Sequence, residues 1–167
     1  EKNYEILYLT GETDEFALQV LGKYADHEFR SIIDGELDLD VGEKQDIDEK
    51  PELMQFVKEV LGDKIKEAKA SRRLKTHPVC MTAGEGFSFE MEKYFKNFQT
   101  PMPVKADRIL ELNTAHPAVQ AMEQAMTSDR EKAEVYAKLL YDQALLIAGL
   151  PLEDPSEDPA LGAGLMQ

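Results

Sequence analysis

Between Asp129 and Ala148 lies the segment that most narrows what this chain can become. Its second half holds Leu139, Leu140, Tyr141, Ala144, Leu145, Leu146, Ile147 and Ala148, which cover nearly the whole circumference of a helix. Ser128 and Glu131 stand at capping-box spacing at its start. A helix that is apolar all round has to be covered on more than one side. The 167 residues supply one ordinary core, or one domain with the trailing piece of another. Part of this surface is therefore expected to meet a second copy of the chain. Gly149 stops the helix, and Pro151, Pro155 and Pro159 break the chain into a turn before a short apolar tail with Leu161, Leu165 and Met166.

Charge restricts the remaining partners. With 19 basic and 33 acidic residues the formal charge is -14, which repels phosphate backbones and anionic lipid, so neither nucleic acid nor a membrane is an expected partner. One cysteine forms no internal disulfide. No run reaches the roughly 20 apolar residues of a membrane span. A reducing, soluble compartment fits. The opening residues lack a charged-then-apolar signal pattern and lead at once into Ile6-Leu7-Tyr8-Leu9, which reads as a buried strand, so the chain is expected to begin inside a domain.

The pattern along the chain is α+β, a small mixed sheet with packed helices, and helices dominate the second half. A strand is expected over residues 4–10. Thr13 or Asp14 then caps a helix whose Phe16, Val20 and Tyr24 share a face, and a second strand is expected near Phe29 to Ile33. Asp34 to Lys50 holds eight acidic residues, two lysines and no aromatic residue, a composition read as a solvated loop at a domain boundary. After Pro51, the spacing of Leu53, Phe56, Val57, Val60 and Leu61 predicts a helix ended by Gly62 in a left-handed conformation. Strands are expected over Ile65 to Ala70, Val79 to Met81 and Arg108 to Leu112, with a further helix opening at Pro117.

A helix from about Gly86 to Phe98 places Phe87, Met91, Tyr94, Phe95 and Phe98 within an arc of about 100 degrees, with Glu90, Glu92, Lys93, Lys96 and Asn97 on the remainder. Thr82 and Glu85 have capping-box spacing ahead of it. Two readings stand open: the stripe packs on a small core, or it is a partly exposed ledge that holds unfolded polypeptide, since Met and aromatic side chains adapt to many partners.

Little else carries chemistry. His77 and Cys80 are three apart, but no second ligand pair accompanies them, and Cys80 reads as a small buried apolar group in a strand. His27 and His116 are isolated, the latter at a helix entry before Pro117. Gly84-Glu85-Gly86 is too short for a dinucleotide fingerprint, and no Gly-x-x-x-x-Gly-Lys phosphate loop occurs. The pairs Asp38 with Asp40 and Asp46 with Asp48 lack the glycine and bidentate glutamate of a calcium loop.

Five segments stand in register with a known family. They are Arg73-Leu74-Lys75-Thr76-His77-Pro78-Val79-Cys80, Glu90-Met91-Glu92-Lys93, Leu110-Glu111-Leu112-Asn113 with His116, Leu139-Leu140-Tyr141-Asp142-Gln143-Ala144-Leu145-Leu146, and Leu152-Glu153-Asp154-Pro155. In order and spacing they resemble the 90-kDa heat-shock chaperones, and Asp142-Gln143-Ala144 is similar to the bacterial form. The resemblance implies that residues 1–35 are the end of a middle domain, 36–50 an acidic linker and 51–167 a C-terminal dimerisation domain. It implies a homodimer held by a four-helix bundle, with Leu139, Leu140, Leu145, Leu146, Leu161 and Leu165 at the interface. Non-native client proteins would contact Phe16, Phe87, Met91, Tyr94 and Phe95. ATP and Mg would belong to an N-terminal domain outside this chain, which would bind no cofactor and hydrolyse no ATP itself, and the location implied is the bacterial cytoplasm. The sequence departs from the family at Asp158-Pro159, Gly162 and Gly164, so that the last helix is either truncated or intrinsically weak, since a glycine inside a helix costs about 1 kcal/mol against alanine. A purely structural dimerisation module without client contact, and a thiol enzyme using His77 and Cys80, are the competing readings.

Overall fold

A computed structural model describes residues 5–11, 13–29, 48–84, 87–96 and 104–152. Within them lie five α-helices and two small sheets, a mixed α+β architecture. The first part contains α1 (Asp14–Leu21) and a hairpin of β1 (Lys23–Tyr24) and β2 (His27–Glu28). The larger part runs α2 (Pro51–Leu61), a 3-10 turn (Gly62–Lys64), β3 (Glu67–Ala70), β4 (Val79–Ala83), α3 (Phe89–Lys96), β5 (Arg108–Leu112), α4 (Pro117–Ser128) and α5 (Arg130–Ile147).

The three-stranded sheet has the order β3-β5-β4, with β5 parallel to β3 and antiparallel to β4. Register and two-residue alternation sort its side chains. Ala68, Leu110 and Met81 form one cross-strand row and Ala70, Leu112 and Val79 the next, so this face is apolar. Helix α2 packs along β3, α5 along β4, and α2 and α4 both pack on α5. Arg108 and Ala83 pair at the end of the apolar face, which puts a cation where the alternation calls for a hydrophobe. The opposite face carries Lys69, Glu111 and Cys80 in one row. Glu111 is buried there, accepting hydrogen bonds from Ser71 Oγ (2.8 Å) and from Arg73 through Nε (3.1 Å) and Nη2 (3.0 Å).

The second half matches the sequence closely. Pro51 opens α2, Gly62 ends it at φ +52°, and Leu53, Phe56, Val57 and Leu61 are buried. His116 caps α4, its Nδ1 accepting from the Ala118 N–H at 3.2 Å, and Gly149 ends α5 at φ +65°. The α5 cap differs by one residue from the expectation. Asp129 Oδ1 accepts from the Lys132 N–H at 3.1 Å, while Ser128 Oγ donates back to the Gln124 carbonyl within α4. Two helices meet at this position, and the shorter link lets Asp129 serve the second one.

The amino-terminal part departs further. Residues 5–10 form no strand and are exposed, Tyr8 at 87 %. A strand needs a neighbour for its N–H and C=O groups, and no strand among the described residues runs beside them. Helix α1 ends at Leu21, so Tyr24 leaves the face it was to share with Phe16 and enters β1, and Val20 is exposed. Ala25 and Asp26 both have positive φ in the two-residue hairpin turn, a geometry usually signalled by Asn-Gly. Thr13 makes no side-chain cap; Asp14 accepts from the N–H groups of Thr10 and Gly11 instead. The strand expected at Phe29 to Ile33 and the acidic run lie almost entirely outside the described residues.

Candidate functional site: an aromatic ledge on α3

Ser88 Oγ accepts from the Met91 N–H at 3.1 Å and so starts α3, whereas Thr82 is buried in β4 and cannot act as the expected cap. The helix begins at Phe89, later than expected, and Phe87 precedes it. Its two sides are also redistributed. Phe89 and Met91 are buried, and Glu92, assigned by periodicity to the solvent face, is 0 % exposed.

Glu92 is the anchor. Its carboxylate accepts from the Ala106 N–H (2.9 Å), from Arg108 Nη2 (3.1 Å) and from Lys96 Nζ (2.7 Å). Arg108 is 5 % exposed, and a buried cation on an apolar sheet face demands such a partner. The single signal available in the sequence was Arg108 itself, charged at a core-parity position of β5. Burial pushes the Glu92 carboxyl up, but the hydrogen bonds from Lys96 and Ala106 and the charges of Arg108 and Lys96 outweigh it and hold the group below the usual carboxylate range.

This anchor leaves the aromatic rings of α3 facing α1. Phe16 lies with its ring centroid 5.0 Å from Tyr94 and 5.9 Å from Phe95, Tyr94 and Phe95 are 5.9 Å apart, and Phe87 is 6.3 Å from Phe95. Tilted and edge-on contacts of this kind contribute about 0.5–1.5 kcal/mol each beyond burial. Phe16, Tyr94 and Phe95 are half-buried, and Phe87 is 42 % exposed. The structure thus brings together four of the five residues named for client contact. Met91 is buried on the side facing α1, its sulfur 3.6 Å from Gln19 Nε2. Phe98 lies outside the described residues.

The leucines named for the dimer divide differently. Leu140 and Leu145 are buried in the chain's own core, the latter at 0 %, together with Ala133, Ala137, Tyr141 and Ala144. Small alanines along this stripe let α4 and α2 approach closely, so one chain covers more of α5 than its composition suggested. Leu139 is half-buried, and Leu146 is 62 % exposed beside exposed Ile147. Leu161 and Leu165 lie outside the described residues.

The thiol is not activated. Burial, then the neighbouring Glu111, pushes the Cys80 pKa up to about 11 from 9.0, although Arg73 opposes this. His77 is exposed and contributes its backbone carbonyl to Asn113 Nδ2. Since the thiolate is the reactive form, a disulfide reagent at pH 8 is expected to modify Cys80 about tenfold more slowly than a thiol of ordinary pKa, the much smaller thiolate fraction being partly offset by the greater nucleophilicity of a more basic thiolate; disulfide-exchange kinetics on the native chain measure this.

Known proteins resemble this chain along nearly its whole length. The family model described as Hsp90 protein matches residues 1–160. The chain belongs to the Hsp90 family. It is similar to the chaperone protein HtpG of Halalkalibacterium halodurans, 44% identical over 159 residues that cover 93% of this chain and 25% of that protein. It is likewise similar to the chaperone protein HtpG of Clostridium acetobutylicum, 44% identical over 170 residues covering 100% of this chain and 27% of the relative. For the Bacillus subtilis protein of the same name the identity is 43%, over 94% of this chain and 26% of the relative. The chain therefore spans about a quarter of the length of these Hsp90-family relatives. Among the described residues no group of three His, Cys, Asp or Glu is placed to hold a metal ion. No helix among the described residues is long and apolar enough to cross a membrane.

Proposed function

We propose that this chain is the C-terminal homodimerisation and client-binding region of a molecular chaperone of the Hsp90 family, acting in protein folding under stress. The observation that carries client binding is the continuous chain of rings Phe87, Phe95, Phe16 and Tyr94, contributed by two elements far apart in sequence and left partly open to solvent. A ledge of this kind holds non-native polypeptide through burial of apolar area, which demands little sequence specificity. The buried Glu92 and Arg108 pair supplies the rigid footing, so the rings need not collapse into the core.

Pairing of two chains through the exposed side of α5 would place two ledges in one assembly. It would also raise the effective concentration of whatever precedes them in the longer proteins, where ATP chemistry would reside. The family relationship and the exposure of Leu146 and Ile147 support that reading.

Phe87 is the residue to test, because it is exposed and its loss leaves the core intact, whereas Met91 is buried. Phe87→Ser is expected to weaken binding of a permanently unfolded polypeptide about fivefold, which corresponds to about 1 kcal/mol for half-burial of one ring. Fluorescence anisotropy reads the affinity. Unchanged client affinity, together with no binding of an apolar dye by the native chain, would instead favour a structural dimerisation module.

A further inference from the structure

Helix α5 ends without a counter-charge of its own. The last carbonyls of an α-helix carry partial negative charge, which a cation in the last turn offsets, and α5 has no basic residue there. The turn that closes it is nonetheless well fixed. Gly149 takes φ +65°, its N–H donates to the Leu146 carbonyl (3.0 Å), and the N–H of buried Leu150 donates to the Leu145 carbonyl (2.9 Å). The cation comes from α3. A β-carbon at Gly149 would stand 3.3 Å from Lys93 Nζ, so the bare backbone at this position leaves room for the ammonium. Lys93 is half-buried and also meets exposed Glu90 at 2.7 Å, a surface pair of the kind that holds a lysine only weakly.

Two surfaces meet at this contact. Lys93 immediately precedes Tyr94 and Phe95, whose rings belong to the ledge, and the last turn of α5 carries exposed Leu146 and Ile147. Glu92, the residue before Lys93, ties α3 to the sheet through Arg108. Helix α3 thus has one charged link to the sheet and a second to the end of α5.

We propose that Lys93 couples the aromatic ledge to the pairing surface, so that a polypeptide held on α3 tightens association of two chains through α5. The proposal rests on the reading of those two surfaces given above. A client that stills α3 also stills the last turn of α5, and pairing then loses less conformational entropy. The linkage is reciprocal, so pairing strengthens client binding by the same factor.

Sedimentation equilibrium of the whole chain, with and without a saturating short unfolded peptide, reads the linkage. The dimer Kd is expected to fall about fivefold when the peptide is bound, and anisotropy at chain concentrations below and above that Kd should show the same factor in peptide affinity. Lys93→Met keeps the aliphatic stem and removes the charge. It is expected to bring the factor to about one, while the peptide affinity of the monomer and the dimer Kd without peptide each stay within about twofold. Lys93→Arg should retain the linkage, and circular dichroism melting confirms that both variants keep the fold. A further readout needs no dimer: peptide should shift the Gly149 amide resonance in nitrogen–proton correlation spectra of the native chain and not in those of Lys93→Met. Peptide binding that leaves the dimer Kd or the Gly149 resonance unchanged, or linkage that survives in Lys93→Met, overturns the proposal. Absence of peptide binding, or of a dimer at any concentration, overturns the reading of the surfaces themselves and the coupling with it.

Discussion

Replacing Glu92 by alanine is expected to destabilise the fold by about 3–5 kcal/mol, because it strands a buried guanidinium without its counter-charge. Arg108 is 5 % exposed on the apolar face of the sheet, and the Ala106 N–H and Lys96 lose their acceptor in the same step. Urea unfolding read as a midpoint shift measures the loss. Adding Arg108→Met to Glu92→Ala should recover a large part of it, since the pair replaced by apolar groups leaves no buried charge. A double variant no better than Glu92→Ala would show that shape, not charge, sets the cost.

The same residue makes a pH prediction whose sign is determined. The Glu92 carboxyl is held below the usual range in the folded chain, so its contribution is present above the unfolded-state pKa of about 4.3 and is lost as pH falls through the folded-state value. Glu92→Gln removes that titration. The stability gap between native chain and variant should therefore be largest near neutral pH and shrink on acidification below about 4.3. A gap that is constant from neutral to acid pH would contradict a charge-dependent anchor.

Leu145 and Leu146 are adjacent in sequence and are expected to behave oppositely. Leu145 is 0 % exposed within the chain's own core, and Leu145→Ala should cost about 2–5 kcal/mol through lost burial and a residual cavity. Leu146 is 62 % exposed, so Leu146→Ala should change the stability of the single chain by no more than about 0.5 kcal/mol. If the exposed side of α5 is the pairing surface, Leu146→Ala should shift the monomer–dimer equilibrium toward monomer in sedimentation equilibrium over a wide concentration range. Unaltered association would place the dimer contact elsewhere. Failure of Leu145→Ala to destabilise would contradict the packing of α5 itself.

Much of α2, α4 and α5 was legible because local chemistry dictates them. Pro51 and Pro117 suit a first helical turn, Gly62 and Gly149 accept positive φ at the ends, and apolar spacing marks the buried sides. The three strands of the larger sheet were likewise visible as short segments of apolar or alternating residues. The aromatic spacing around α3 also pointed to the ledge. Periodicity failed at the positions where charge is buried. Glu92 looked like a solvent residue, since nothing local reveals that Arg108 will reach it. It failed again at residues 5–10, where an apolar run has the composition of a strand but no partner strand among the described residues.

The identity of α2, α4 and α5, the helix ends set by Pro51, Gly62, Pro117 and Gly149, and the supply of aromatic side chains were therefore determined by the sequence alone, because each depends on interactions within a few residues of backbone. Tertiary structure alone decided which faces closed. The alanine stripe of α5 drew α2 and α4 over Leu140 and Leu145, a buried ion pair fixed α3, and Phe16 came to rest against Tyr94 and Phe95. Those outcomes rest on contacts between residues far apart in the chain, whose energies depend on geometry that no short window of sequence contains.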